Sequence, residues 1–167
     1  NNNLKVSIDI KLQQYLQEIF VGKSGSIVIM DANNGEVLAA ASFPEYDSNI
    51  FARGISQEDW DKMKNDFNHP FTNKITNGLY PPGSVIKMGV ALAFLEHGIN
   101  ENFSVNCTGS LPIGNRNFRC WKTTGHGHID FRSSLEQSCD DFYYKGSLKL
   151  GINKISQTLG KLGIGQQ

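Results

Sequence analysis

The chain has 167 residues, enough for one domain with a buried core or for part of a larger one. Its 16 basic residues balance 16 acidic ones and no basic run stands out, which argues against nucleic acid as a partner. The longest apolar stretch, Val90 to Leu95, is far too short to span a bilayer.

Asn1-Asn2-Asn3 carries no signal peptide, so either the chain is cytoplasmic or its targeting and anchoring segments lie outside it. Asp9 reads as the N-cap of a helix through Phe20, with Leu12, Tyr15, Leu16 and Ile19 on one face. Gly25 to Asp31 reads as a buried strand, Asn33-Asn34-Gly35 as a hairpin turn and Glu36 to Phe43 as the returning strand. Ser56-Gln57-Glu58-Asp59 has the capping-box pattern and predicts a helix to about Asp66. Pro81-Pro82-Gly83 turns the chain sharply, and the pattern from Val85 to His97 predicts a helix stopped by Gly98. Residues 99–129 read as loops with brief strands. Helices are predicted over about 131–138, 140–150 and 153–160, with breaks near Ser138 and at Gly151. The class is α+β: a hairpin, then a largely helical stretch. The chain ends at Leu162 to Gln167 without another strand. A two-stranded hairpin is marginal alone, so further strands are expected outside the given sequence.

Ser84-Val85-Ile86-Lys87 sets a serine at the mouth of a helix and a lysine one turn on. Residues three apart share a helix face, so the two side chains can meet. A serine hydroxyl becomes a nucleophile when a base takes its proton, and Lys87 is spaced to be that base. Ser-x-x-Lys also arises by chance in a chain this rich in both residues, where it marks an ordinary amphipathic helix. Further on, Ser138-Cys139-Asp140 lies at a helix junction, although Ser7-x-Asp9 and Ser104-x-Asn106 share its pattern. Cys107, Cys120 and Cys139 crowd into one stretch with His126 and His128. Three thiolates and one imidazole, Cys107, Cys120, His126 and Cys139, make a closed tetrahedral zinc site. A disulfide with one thiol spare, or three buried small residues, are the alternatives, and the odd count argues against complete pairing. His128 could orient a ligand or face solvent. His69 and His97 read as surface or capping residues.

The order of these pieces resembles one family. Ser-x-x-Lys followed by Ser-x-Asn or Ser-x-Asp, then Lys-Thr-Gly, are the motifs of the penicilloyl serine transferases. Ser24-Gly25-Ser26-Ile27-Val28-Ile29-Met30-Asp31, Asn34-Gly35-Glu36-Val37-Leu38-Ala39 and Ala41-Ser42-Phe43-Pro44-Glu45-Tyr46-Asp47 resemble the start of a class B penicillin-binding protein transpeptidase domain. So do Asn73-Lys74-Ile75, Leu79-Tyr80-Pro81-Pro82-Gly83-Ser84, Trp121-Lys122, Gly125-His126-Gly127-His128 and Asp140-Asp141-Phe142-Tyr143-Tyr144. Within the family the chain looks most like the cell-elongation branch, penicillin-binding protein 2, from about Val6 to Gly165. The Lys-Thr-Gly strand is missing. Lys23-Ser24-Gly25 and Lys122-Thr123-Thr124-Gly125 imitate it at the wrong places. Residues 1–167 therefore look like the first part of a transpeptidase domain, incomplete at its C-terminus. The expected fold is that shared with serine β-lactamases, a helical subdomain plus part of an antiparallel sheet.

The resemblance implies that Ser84 attacks the penultimate D-Ala of a peptidoglycan stem peptide ending in D-Ala-D-Ala, with β-lactams acylating the same serine. Lys87 would be the base, Ser138 a proton relay, and Asp140 a hold on Lys87 or on the substrate amide. Free lysine titrates near pH ~10.4, so a lysine base needs burial or nearby positive charge. No cofactor is needed for the acyl transfer. Some relatives carry a metal in the region of the cysteines, which supports a structural zinc. An MreC-type scaffold and a lipid-linked glycan polymerase are the implied partners. The implied place is the periplasmic face of the inner membrane, anchored by an N-terminal segment not present in the sequence. Serine β-lactamases use the same tetrad but would hydrolyse the acyl-enzyme. A non-catalytic fragment that binds partners or β-lactams is the reading from another class.

Overall fold

The computed structural model describes residues 3–165 and divides the chain into two units, one up to Tyr80 and one from Pro81, each with its own core. The readings made on Asn1, Asn2, Gln166 and Gln167 fall outside the described residues.

In the first unit α1 (Ile10–Ile19) starts where its cap predicts: the Asp9 carboxylate accepts the N–H groups of Lys11 and Leu12 at 2.9 and 3.1 Å. Strands β1 (Gly25–Met30) and β2 (Val37–Phe43) pair antiparallel, from Gly25 opposite Phe43 to Ile29 opposite Ala39, with a slip at Met30. Gly35 closes the turn in the left-handed region (φ 78°), its N–H donating to Asp31 O. Ala39, Ala41 and Phe43 point at α1 and pack on Leu16, and Phe20 stacks on Phe43. The free edge of β2 is also covered. The Gln13 amide bonds both backbone groups of Ala40, and the Asp9 N–H donates to Leu38 O. Tyr15 and Ile19, expected on the packed face, are exposed, and only Leu12 and Leu16 of that face pack in the core. A short helix, α2 (Asn49–Ala52), precedes α3 (Gln57–Lys64), and Tyr46, Phe51, Trp60 and Phe71 gather in one aromatic cluster. Ser56 caps α3 through the Asp59 N–H.

The second unit opens with a 3₁₀ turn (Gly83–Ile86) that runs into α4 (Lys87–Glu96). Four brief strands follow, β3 (Val105–Cys107), β4 (Ser110–Ile113), β5 (Arg116–Arg119) and β6 (Gly127–Ile129). They form two antiparallel pairs, β3 with β6 and β4 with β5. Then come α5 (Phe131–Glu136), α6 (Asp140–Leu150) and α7 (Ile152–Lys161). The core is built around Phe94 of α4, with Phe142 and Tyr143 of α6, Ile129, Val105 and Ile155. Gly146 permits this packing, since a Cβ there would lie 2.3 Å from the Phe94 ring. The buried face of α4 is not the large aliphatic one. Lys87, Gly89, Ala91, Ala93 and Phe94 are inside, while Met88, Leu92 and Leu95, and Val85 of the preceding turn, are exposed. A helix apolar on all sides gives no moment to orient it, so its neighbours choose the face.

Candidate active site and the adjoining cysteine cluster

Three elements of the second unit converge on one ammonium group. Ser84 is exposed in the 3₁₀ turn, and Lys87 starts α4 one turn later, buried to 8% exposure. The α5–α6 junction supplies Ser138 and Asp140. Lys87 Nζ donates to Ser138 O at 2.8 Å, to Ser138 Oγ at 3.0 Å and to Asp140 Oδ1 at 2.6 Å. An ammonium has three donors and no acceptor, so these bonds use its whole capacity. The Ser138 hydroxyl donates to Ser84 Oγ at 2.9 Å. The spacing in sequence led us to expect a direct meeting of Ser84 and Lys87; in the hydrogen-bond order the Ser138 hydroxyl stands between them. Ser138 takes a left-handed backbone (φ 49°), rare for a residue other than glycine. Burial pushes the Asp140 carboxyl up, but bonds from Lys87 and from the Trp121 N–H, together with the Lys87 charge, outweigh it and hold the group below the usual carboxylate range. A cavity of about 390 Å³ opens beside Ser84, lined by Lys87, Val90, Asp140, Tyr143, Tyr144 and Ser147.

The four residues picked as metal ligands also come together. Cys107 ends β3, Cys120 follows β5, His126 precedes β6 and Cys139 caps α6. All three thiols are free and buried, so no disulfide joins them. The four donor atoms lie within 4.8 Å of one another. His126 Nδ1 is 3.6 Å from Cys107 Sγ and 3.5 Å from Cys120 Sγ. Tetrahedral zinc with the usual bond lengths requires about 3.5 Å between an imidazole nitrogen and a thiolate sulfur, so the donors fit that ion. Gly109 and Gly125 make the fold-back possible: a Cβ on either would lie 2.0 Å from Thr123 O or 2.3 Å from Cys107 O. Burial lowers the His126 pKa, which favours the neutral, ligating form. Burial pushes the Cys139 thiol up to about 12. His126 Nε2 is buried with no hydrogen-bond partner. His128 is exposed and takes no part in the cluster. His97, as expected, caps α4, and His69 is exposed.

A family model for the penicillin binding protein transpeptidase domain matches residues 25–167. The chain belongs to that family. It is 38% identical to the peptidoglycan D,D-transpeptidase MrdA of Escherichia coli strain K12, over 98% of this chain and 26% of that protein. Among solved structures it matches a penicillin-binding protein, PBP2, from Helicobacter pylori, at 44% identity and a TM-score of 0.86, over 100% of this chain and 32% of that one. A complex of PBP2 with MreC from Helicobacter pylori matches at 43% identity and a TM-score of 0.84, over 96% of this chain and 30% of the matched chain. The chain thus spans between a quarter and a third of the length of these relatives. The fold is that of penicillin-binding transpeptidase domains, and the α+β reading stands.

Sequence reasoning missed Trp121 as a contributor to the site. Trp121 N donates to Asp140 Oδ2 and its indole N–H to Gln137 O, both at 2.9 Å. Its position next to Cys120 was the available signal. Tyr143 and Tyr144 line the cavity because they sit three and four residues after Asp140 on α6.

Proposed function

We propose that this chain is the first part of a serine D,D-transpeptidase domain that crosslinks peptidoglycan and is acylated by β-lactams at Ser84. The observation that carries the reading is the hydrogen-bonded series Ser84 Oγ, Ser138 Oγ, Lys87 Nζ, Asp140. Once Lys87 has lost a proton to solvent it can accept one. The two hydroxyls then turn so that Ser84 donates to Ser138 and Ser138 to Lys87, and the Ser84 proton passes to Ser138 as the Ser138 proton passes to Lys87. Ser84 Oγ then bonds the substrate carbonyl carbon, and D-Ala leaves with a proton returned along the same path. The amine of a neighbouring stem peptide takes the acyl group. Asp140 orients the Lys87 ammonium. The cavity beside Ser84 has room for the acyl side, with Tyr143 and Tyr144 as its walls.

The domain is completed elsewhere in this reading, by a segment bearing the Lys-Thr-Gly strand. The exposed Met88, Leu92 and Leu95 of α4, with Val85 of the turn before it, support it, since they offer a second apolar face for further chain to cover. The site is placed on the periplasmic face of the inner membrane, in the machinery of cell elongation and shape. An MreC-type scaffold is the proposed partner, after the relative solved with MreC, and a lipid-linked glycan polymerase is the second. Among the described residues no helix is long and apolar enough to cross a membrane. Fluorescent penicillin followed by mass spectrometry tests the enzyme reading: the full-length protein is expected to carry one adduct, on Ser84. No adduct there overturns it. An adduct on the full-length protein but not on residues 1–167 assigns the deficit to the missing segment.

The cysteine cluster is proposed as a structural zinc site held by Cys107, Cys120, His126 and Cys139. A bound zinc would neutralise thiolate charge and join four separate segments, with no part in acyl transfer. Protein purified without chelator is expected to hold roughly one zinc per chain, and less than about 0.2 would sink the idea.

A further inference from the structure

Ser138 is the only non-glycine residue of the second unit, among those described, with a left-handed backbone. Such a conformation persists where its surroundings over-determine it. Within its own segment two bonds support it, Ser138 N–H to Leu135 O and Cys139 N–H to Ser134 O. From outside, Lys87 holds the Ser138 carbonyl, and Trp121 holds both flanks. The indole N–H takes Gln137 O on one side of Ser138, and the Trp121 peptide N–H takes the Asp140 carboxylate on the other. Trp121 is itself fixed. It follows the buried Cys120, and its ring meets His126 edge-on at 5.2 Å. Yet the residue is 64% exposed, so burial of the ring does not account for its placement.

We propose that Trp121 is a positioning residue: its indole N–H, through Gln137 O, keeps Ser138 in the left-handed turn that sets the Ser138 hydroxyl between Lys87 and Ser84. The proposal rests on the reading of Ser84 as the acylated nucleophile for its kinetic consequence, and on geometry alone for its structural one. Trp121→Phe is the informative variant. It keeps an aromatic ring at this position and the peptide N–H to Asp140, and removes the indole donor along with part of a largely exposed ring.

In the full-length protein, stopped-flow acylation by a fluorescent penicillin separates the affinity of the first complex from the acylation step. Trp121→Phe is expected to slow the acylation step by about 10-fold and to leave affinity within about twofold. Weakened affinity with an unchanged acylation step would overturn the proposal, because the ring would then be touching ligand. A second readout needs no acylation. Amide hydrogen exchange at Ser138 and Cys139 is expected to rise by about 10-fold in the variant, with residues 142–150 of α6 unchanged. Unchanged exchange at the turn overturns the proposal, and so does an equal rise along all of α6, which marks general loosening. If the wild-type protein is not acylated at all, the transpeptidase reading falls and the exchange result still decides the role of Trp121.

Discussion

Lys87→Met is expected to slow acylation of Ser84 by about 10²- to 10⁴-fold, the range for a lost general base. Methionine matches the length of the lysine stem, so α4 keeps its packing; what is lost is the proton path together with the bonds to Ser138 O and Asp140. The effect exceeds that of Trp121→Phe because Lys87 is the terminus of the path, not a support for it. Rates with saturating fluorescent penicillin check this, and a fall of less than about tenfold would remove Lys87 from the role of base. The same variant alters the response to acid. The folded pKa of Asp140 is depressed against its unfolded value, so its stabilisation is present above the ordinary carboxylate range and is lost as pH falls through the folded value. Lys87 supplies two of the effects that depress it. Unfolding midpoints measured from pH 6 downward, a window set by the carboxylate reference near ~3.9, are therefore expected to fall less steeply in Lys87→Met than in the wild type.

The parts of the fold legible in the sequence are those governed by local chemistry. Asp9 and Ser56 cap helices because their side-chain oxygens reach N–H groups two or three residues on, which spacing alone reveals. The Asn33-Asn34-Gly35 turn was legible because Gly35 must adopt positive φ. The helix led by Ser84 was legible in extent but not in face. Its apolar residues surround the axis, and only the position of α6 and α7 decides that Lys87 and Ala91 go inward. The short α2 helix has no periodic signal in four residues; the Asp47 carboxylate holding the Asn49 N–H starts it.

The candidate site divides in the same way. Ser84 and Lys87 lie one turn apart, and Ser138 and Asp140 two residues apart, so motif spacing found both pairs. The cysteine cluster was visible as crowding along the chain, and the turns at Gly109 and Gly125 convert that crowding into convergence. The position of the Ser138 hydroxyl between Ser84 and Lys87 was out of reach. It follows from a left-handed serine, a conformation no local pattern demands, held by a tryptophan 17 residues upstream in the chain.

Lys145→Met is expected to cost about 3–5 kcal/mol of stability, the usual penalty for breaking a buried ion pair from one side. The Asp141 side chain is 1% exposed, and Lys145 Nζ meets its Oδ2 at 2.8 Å. Its other oxygen, Oδ1, is buried with no hydrogen-bond partner, so the carboxylate has no bond in reserve. Asp141 lies in the first turn of α6, where the helix dipole favours a negative charge, but that contributes at most ~2 kcal/mol and cannot offset the stranded carboxylate. The two partners are unequal. Lys145 is 31% exposed at its side chain, so an ammonium that loses Asp141 can still reach water. Asp141→Asn is therefore expected to cost only about 1–2 kcal/mol, and in the Lys145→Met background it is expected to restore part of the loss by removing the buried charge. Urea unfolding of the four proteins in this cycle measures both quantities, and a Lys145→Met loss below ~1 kcal/mol would contradict the account. Lys145 also donates to Asn106 O at 2.7 Å. One ammonium thus ties the residue before Cys107 to the residue after Asp140, and its loss is expected to loosen the cysteine cluster and the Ser138–Asp140 turn together.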